Sequence, residues 1–192
     1  MNVMCSDQNL MARLREGDQE AFGLLAQRHK DWLTRLLYHL FWNHEEAEDG
    51  VQEVLLRLWL ARRTYQPTAN LRTFLFTIAR NYWHNRSRRV IRKTHCASLE
   101  EQFGPNARRV IEELADEAPT PEHIVMQRLE QHRLRRAVNT LPEKQRLVFV
   151  MSHFLDMRYR EIGETLGVPE GTVKSRMATA VATLRVKLGE ER

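Results

Sequence analysis

Apolar residues recur at helical spacing along nearly the whole chain, and this periodicity limits the fold more than any other feature of the sequence. Runs that alternate apolar and polar residues between turn residues are missing, so the pattern predicts an all-α protein. Capping residues and helix stops divide it into helices that begin near positions 7, 18, 44, 71, 121, 143, 158 and 170. No stretch reaches the roughly 18 uncharged apolar residues that a membrane-spanning helix requires.

The periodic pattern is interrupted between residues 97 and 120, where a glycine and prolines accompany a run of acidic residues. A chain of 192 residues is long enough for two small domains. We therefore expect one helical domain over 1–93, a flexible acidic linker over 94–120, and a second helical domain over 121–192.

The charge is segregated along the chain, although the net charge is only +5. Residues 54–99 contain ten arginines and lysines and no acidic residue, whereas residues 100–122 contain seven acidic residues and two arginines. Segregation of this kind favours a surface that binds a polyanion such as nucleic acid. A solvated basic face without a ligand is the alternative, and charge alone does not decide between the two.

Residues 159–176 have the pattern of a helix-turn-helix. Gly163 is small where two crossing helices must approach closely, and Gly167 can take the positive φ that the tight turn needs. Upstream, Thr140 and Glu143 have the spacing of a capping box, which predicts the start of the preceding helix. The second helix of such a pair typically lies in the major groove of DNA.

The last predicted helix has an apolar face and, opposite to it, a face of small residues. The apolar face contains Val173, Met177, Ala180, Val181, Leu184 and Leu188, and the small face contains Gly171, Ser175, Ala178 and Ala182. Small residues let a helix lie deep in a major groove about 12 Å wide, with Lys174 and Arg176 at the edges to reach phosphates or guanine. A well-packed amphipathic helix without a ligand is the alternative, which turn, spacing and charge together disfavour.

The helix around Asp49 carries an apolar core stripe and, about 160° away from it, a polar cluster. This cluster, the docking face, consists of Asp49, Gln52, Glu53 and the outward-pointing Leu56. An exposed leucine ringed by charged and amide groups is typical of a protein-docking patch. A solvated acidic face with one stray leucine explains the same residues equally well.

The helix predicted to begin at Leu71 mixes aromatic with basic residues. Core packing accounts for Leu75, Ala79 and Tyr82 through their period, whereas Trp83 and the arginines are harder to bury. Aromatic rings between cations suit single-stranded nucleic acid, because the bases stack on the rings while the phosphates pair with the cations. An aromatic stripe packed in the core is the alternative.

Three groups of residues, taken in order and spacing, resemble bacterial RNA polymerase sigma factors of the extracytoplasmic-function (ECF) class. They are AEDGVQEV at 47–54, TFLFTIARN at 73–81, and LPE at 141–143 followed by GTVKSR at 171–176. The resemblance extends over about 18–93 and 121–188. It implies that the first domain is sigma domain two, a helical bundle, and that the second is sigma domain four, which carries the helix-turn-helix.

The resemblance implies a protein that binds core RNA polymerase and directs it to specific promoters, with no cofactor, no metal and no enzymatic activity of its own. The docking face would contact the clamp helices of the polymerase β′ subunit, and the polymerase β flap would be a further contact. An anti-sigma factor would hold the protein inactive, either in the cytoplasm or, through such a partner, at the membrane without insertion.

The same resemblance implies two sets of DNA-reading residues. The −10 set, which would melt the −10 promoter element and read it as a single strand, is Arg72, Arg80, Asn81, Trp83, His84, Arg86, Arg88 and Arg89. The −35 set, which would read the −35 element as duplex, is Gly171, Thr172, Lys174, Ser175, Arg176 and Thr179. Melting of this kind is not covalent catalysis, because affinity for the separated strand offsets the cost of unstacking.

Two other functions compete with this one. A free-standing helix-turn-helix regulator would bind its operator without polymerase and would leave the docking face unexplained. An enzyme is disfavoured because His44 lacks the second histidine of a zinc-protease helix and Cys96 directly follows His95 rather than being spaced for zinc. Two cysteines cannot form a disulfide framework, which favours the cytoplasm, and no secretory signal is visible.

Overall fold

The computed structural model describes residues 6–65, 70–94 and 121–190, and the regular structure in these ranges is entirely helical, as predicted. Within them the chain forms α1 (Asp7–Arg15), α2 (Gln19–Phe41), α3 (His44–Ala61), α4 (Leu71–Thr94), α5 (Pro121–Thr140), α6 (Glu143–His153), α7 (Tyr159–Leu166) and α8 (Glu170–Glu190). No helix in the described ranges has both the length and the apolar character needed to cross a membrane.

Polar side chains start several of these helices where the sequence predicts. Asp18 accepts hydrogen bonds from the backbone N–H groups of Glu20 and Ala21, at 2.9 and 3.1 Å, and so caps α2. Asn43 and Asn70 cap α3 and α4 in the same way. Each cap provides an acceptor for N–H groups that the first helical turn leaves without an intrahelical partner.

The start of α6 differs from the prediction. Thr140 ends α5, and its hydroxyl donates to the carbonyl of Ala137 at 2.7 Å. Pro142 precedes α6 and makes no side-chain capping hydrogen bond. The predicted capping box is therefore wrong, because the Thr140 side chain is used within its own helix and the Glu143 carboxylate faces His84 instead.

For the helix that begins at Leu71 the sequence predicts an end near Arg89, whereas α4 continues to Thr94. The predicted linker, 94–120, lies outside the described residues except for Thr94. The Arg89 side chain lies outside them too.

Helices α1 to α4 form a bundle in which α2 packs against each of the other three. Leu33, Leu37 and Leu75 are fully buried at its centre. A Cβ at Gly50 would lie 2.8 Å from Leu37 Cδ1 and 2.9 Å from Tyr82 Cε1, so glycine lets α3 approach α2 and α4 this closely without displacing these side chains. The bundle thereby fixes the position of the docking face relative to α4.

In the second half of the chain, α8 packs against α5, α6 and α7. The helix-turn-helix is formed by α7 and α8 and has the predicted geometry. A Cβ at Gly163 would lie 2.8 Å from the carbonyl oxygen of Val168, and Gly167 takes a φ of 64° in the turn. Ile162 and Val173 are fully buried between the helices, as expected.

The two helical groups also contact each other, because α6 packs against α2 and α7 packs against α4. One apolar cluster runs through both groups and includes Leu36 from α2 and Val150 from α6. This contact determines which side chains of α4 reach the surface.

Candidate functional site

The docking face lies on the outer side of α3. Asp49 and Gln52 are exposed, and 51% of Leu56 is exposed. Glu53 is partly exposed and accepts a hydrogen bond from Arg57 Nε at 2.6 Å. The opposite stripe of α3 is buried, as the helical period predicts. A large apolar side chain is thus held in solvent among acidic and amide groups.

The docking face extends one helical turn beyond the residues predicted for it. Leu60 is 66% exposed and follows Leu56 by four residues on α3. Residues four apart share a helix face. The same helical arithmetic that placed Leu56 among the polar residues could therefore have found Leu60.

Some side chains of the −10 set are exposed to solvent, and others contact residues elsewhere in the protein. Asn81 and Arg88 are exposed on the outer side of α4, and Arg80 is partly exposed. The engaged members contact side chains of the bundle or of the second helical group. They are Arg72, Trp83, His84 and Arg86.

Arg86 is bound within the bundle by Glu46. Its Nε and a terminal nitrogen donate to the two carboxylate oxygens of Glu46 at 2.7 and 2.8 Å. These hydrogen bonds and the charge of Glu46 raise the pKa of Arg86 above its ordinary value. The pair joins α4 to the first turn of α3, so Arg86 has a structural partner that DNA would have to replace.

At the other end of α4, Arg72 contacts Trp32, which is in turn hydrogen-bonded to His29. Its guanidinium lies 5.0 Å from the centre of the Trp32 ring. The indole N–H of Trp32 donates to His29 Nδ1 at 3.0 Å, and His29 Nε2 lies 2.9 Å from an Asp7 carboxylate oxygen. Since Nδ1 accepts, Nε2 carries the proton of a neutral His29 and donates to Asp7. Burial lowers the pKa of His29, which favours this neutral form.

Trp83 is where the sequence-based expectation about burial is wrong. The side chain is only 5% exposed, although it was expected to be hard to bury. The cover comes partly from the second helical group, since the Arg146 guanidinium lies 5.5 Å from the centre of the Trp83 ring. Beside it, His84 Nδ1 lies 3.1 Å from Glu143 Oε2. No local pattern on α4 could have indicated partners so far along the chain.

The −35 set forms a continuous outer face of α8. Gly171, Lys174, Ser175 and Thr179 are exposed, and Thr172 and Arg176 are partly exposed. The hydroxyl of Ser175 donates to the carbonyl of Thr172, and that of Thr179 to the carbonyl of Ser175, each at 3.0 Å. The hydroxyls therefore lie flat on the helix, which leaves a shallow face of the kind a major groove can accept.

The residues between the two helical groups form an aromatic stack. The rings of His39 and Phe154 are 3.8 Å apart and nearly parallel, and Trp42 meets Phe154 edge-on at 5.5 Å. Burial, followed by the charges of Arg35 and His153, lowers the pKa of His39 to about 4. His39 is therefore neutral at pH 7.

Within the described ranges no group of three histidine, cysteine or carboxylate side chains is placed to hold a metal ion. The exposed faces of α3, α4 and α8 are instead suited to macromolecular contacts. Two of them carry basic or small polar side chains, and the third carries exposed leucines among acidic groups.

Comparison with known proteins places both halves of the chain in one family. The family model of Sigma-70 region 2 matches residues 25–93, and that of Sigma-70 region 4 matches residues 131–184. The ECF RNA polymerase sigma factor RpoE of Cereibacter sphaeroides is 32% identical over 92% of this chain and 91% of its own length. The ECF RNA polymerase sigma factor SigW of Bacillus subtilis is 28% identical over 92% of this chain and 93% of its own.

Two solved structures have the same fold. CnrH in complex with the cytosolic domain of CnrY superposes with a TM-score of 0.66 at 22% identity, over 97% of this chain and 99% of that one. RpoE of Bartonella quintana, in complex with the anti-sigma factor NepR, gives 0.55 at 23% identity, over 88% and 95%. Together with the matches to regions 2 and 4, these findings show that the chain belongs to the ECF class of RNA polymerase sigma factors, which bind core polymerase and direct it to promoters.

Proposed function

We propose that residues 1–93 act as sigma domain two and residues 121–192 as sigma domain four. The exposed faces of α3, α4 and α8 would each have a separate role in transcription initiation. The docking face on α3 binds the clamp helices of the polymerase β′ subunit. The −10 set on α4 captures and reads the melted −10 strand. The −35 set on α8 reads the −35 element as duplex.

One observation carries the assignment of the docking face. Two large apolar side chains four residues apart, Leu56 and Leu60, are exposed on the outer side of α3 beside acidic and amide groups. Apolar anchors ringed by charge are the arrangement that gives a protein interface both affinity and specificity. The free-standing regulator leaves this face without a use.

We also propose that an anti-sigma factor holds the chain inactive and that the chain works in the cytoplasm, without catalysing a reaction. The support is that CnrH was solved with the cytosolic domain of CnrY and the Bartonella protein with the anti-sigma factor NepR. An inhibitor would have to cover at least one of the three exposed faces to prevent initiation.

The experiment is co-elution of the purified chain with bacterial core RNA polymerase at moderate salt, for the wild type and for Asp49→Ala with Glu53→Ala. The double variant is expected to lose stoichiometric co-elution while its helical circular dichroism and unfolding midpoint stay unchanged. Both side chains are at least partly exposed, so their removal disturbs no buried contact.

The matched control is Asp31→Ala with Glu164→Ala, which removes the same charge from exposed positions on α2 and α7. It is expected to co-elute like the wild type. Normal co-elution of the docking variant would overturn the assignment of the docking face. Failure of the folded wild type to bind polymerase would instead favour the free-standing regulator.

A further inference from the structure

The two helical domains share one apolar cluster, and beside it Phe154, directly after α6, packs against α2. Phe154 stacks on His39 and meets Trp42 edge-on, so it lies against the last turn of α2. Arg35 donates to the backbone carbonyl of Phe154 and lies 3.4 Å from an Asp156 carboxylate oxygen. One aromatic side chain and its neighbours therefore fix the end of α6 to domain two.

The same contact reaches the −10 set. Glu143, at the first turn of α6, pairs with His84, and Arg146, one turn later, lies over Trp83. Both α4 side chains belong to the set that would hold a separated DNA strand. A base that stacked on Trp83 would have to displace Arg146, because Trp83 is buried in this arrangement.

The other two faces are not covered in this way. Asp49, Gln52 and Leu56 on α3 are exposed, and so are Lys174 and Ser175 on α8. The contact between the domains is therefore selective. It hides part of the single-strand face and leaves the docking face and the duplex face open.

Besides the shared apolar cluster, the contact contains polar groups that lack partners. His39 Nδ1, Trp42 Nε1 and Arg146 Nε at this contact are among the buried polar side-chain atoms without a hydrogen-bond partner in the described ranges, as are Arg62 Nε, Arg72 Nε and Gln145 Oε1. The first three would gain hydrogen bonds to water if the domains separated. Trp42 and Asp156, on opposite sides of the contact, are also the non-glycine residues with positive φ in the described part of the chain, at 55° and 54°. Unpaired polar groups and backbone strain favour an interface that can open.

We propose that domain four closes on domain two as an intramolecular inhibitor that masks Trp83 and His84 of the −10 set in the free protein. The closed chain can still dock on polymerase and touch duplex DNA, but a base cannot stack on Trp83 until the contact between the domains opens, so the chain holds a melted strand more weakly. This inference rests on the proposed function of α4. It assigns the masking to this chain's own domain four, before any inhibitor is bound.

The size of the effect follows from the population of the open form. If roughly one molecule in ten is open, the apparent affinity for a single strand is about tenfold weaker than that of the open form. Variants that open the contact should therefore bind a single strand about tenfold more tightly. They should leave duplex binding unchanged, because the −35 set is exposed in both forms.

The releasing variant is Arg35→Gln with Glu143→Gln, which removes the tie to Phe154 and the tie to His84. It conserves net charge, and all the altered groups are partly or largely exposed, so the fold of each domain is preserved. Phe154→Ala is a second releasing variant that acts through the aromatic stack. The control is Arg160→Gln with Glu164→Gln, which removes an exposed pair inside α7 and also conserves net charge.

The first measurement is the distance between spin labels on the two domains in the free protein, without polymerase. The labels are attached at Lys30→Cys and Arg185→Cys, both exposed positions, in a chain with Cys5→Ser and Cys96→Ser. A single narrow distance that broadens and lengthens in both releasing variants, but not in the control, is expected. A broad distribution in the wild type that no variant changes would overturn the closed form.

The second measurement is binding of short fluorescent oligonucleotides of randomised sequence, as single strands and as duplexes, to the same proteins. Both releasing variants should bind the single strands about tenfold more tightly than wild type and control, with equal duplex affinity in all four. A rise in duplex affinity of the same size would indicate general charge exposure and would overturn the masking. Unchanged single-strand affinity in an opened chain would overturn it as well.

The two proposals fail separately. Loss of polymerase co-elution concerns the docking face on α3 and is measured with polymerase present. The distance and oligonucleotide experiments use the free chain and concern only what covers α4.

Discussion

The two helices assigned to DNA, α4 and α8, differ in what holds their outer side chains. On α8 the polar groups are bonded within their own helix, as with Ser175 and Thr179, or to a neighbour one turn away, as with Lys174 and Glu170 at 2.8 Å. On α4, His84 and Arg86 instead contact carboxylates of other helices, Glu143 and Glu46. A duplex groove has a fixed shape that a preformed face can meet, whereas a flexible strand is caught by side chains that exchange partners.

The largest effect is expected from a substitution that disturbs the packing of α7 against the turn before α8. Gly163→Ala places a Cβ 2.8 Å from the backbone carbonyl of Val168, which cannot move without opening the helix-turn-helix. We expect domain four to lose about 2–3 kcal/mol of unfolding free energy, measured by urea titration, with loss of duplex binding.

The matched control is Gly23→Ala on α2, where no atom lies within 4 Å of the new Cβ. Alanine is the better helix former, so this variant should gain up to about 1 kcal/mol. Equal stability of the two variants would show that the close approach at Gly163 does not matter.

The second effect tests the contact that covers α4, through the pH dependence of stability. Burial beside Arg35 and His153, with Asp156 paired to Arg35, lowers the pKa of His39 from 6.5 to about 4 in the folded chain. The unfolded chain therefore takes up the proton first as the pH falls. The stability that depends on neutral His39 is therefore fully present above about pH 6.5 and is lost progressively down to about pH 4. Between pH 7 and pH 5 the unfolding free energy should fall by about 2 kcal/mol from this cause.

Urea titrations across this pH range measure the effect, and His39→Phe is the control because it keeps the stack on Phe154 but cannot take up a proton. The variant should lose this part of the pH dependence and keep the part that belongs to the buried His29. Identical pH profiles for wild type and variant would contradict the assignment.

A third and smaller effect on stability is expected from the hydrogen bonds between Arg86 of α4 and Glu46 of α3. Arg86→Ala removes both hydrogen bonds to Glu46 and should lower the unfolding free energy by about 1 kcal/mol, because the two-pronged geometry is good but partly solvated. Arg86→Lys keeps the charge and loses the paired geometry. It should be intermediate in stability if the geometry matters, and equal to wild type if charge alone does.

The smallest effect on stability is expected on α8. Lys174→Ala removes an exposed pair with Glu170 and should leave the unfolding free energy nearly unchanged. Duplex promoter binding by the polymerase complex should nevertheless weaken. A phosphate contact would also reduce the salt dependence by about one unit of slope, whereas a base contact would relax one position of the recognised sequence. Unchanged binding would remove Lys174 from the interface.

The same contrast explains how far the sequence could predict the molecule. The period of α8 determines both its buried and its exposed face, because its neighbours lie on one side only, and Gly163 and Gly167 indicate the turn directly. The surroundings of Trp83 depend on Arg146, which no periodicity on α4 can reveal. The helix around Asp49 is intermediate, since its faces were predictable but the exposed Leu60 was left out.

Local patterns also compete with one another at helix boundaries. Thr140 and Glu143 have capping-box spacing, yet the hydroxyl of Thr140 bonds back to Ala137 and α6 starts after Pro142 without a side-chain cap. Serine and threonine hydroxyls often bond to a carbonyl one turn earlier in their own helix, and spacing alone cannot exclude that choice.

Gly50 gives domain two a property that neither of its working faces has alone. Because the backbone of α3 at Gly50 lies against the Tyr82 ring of α4, the two helices are packed closely at this point. On the proposed function, one of them is anchored to polymerase and the other holds the melted strand. The close packing at Gly50 then sets the distance between the polymerase-binding face on α3 and the strand-binding residues on α4.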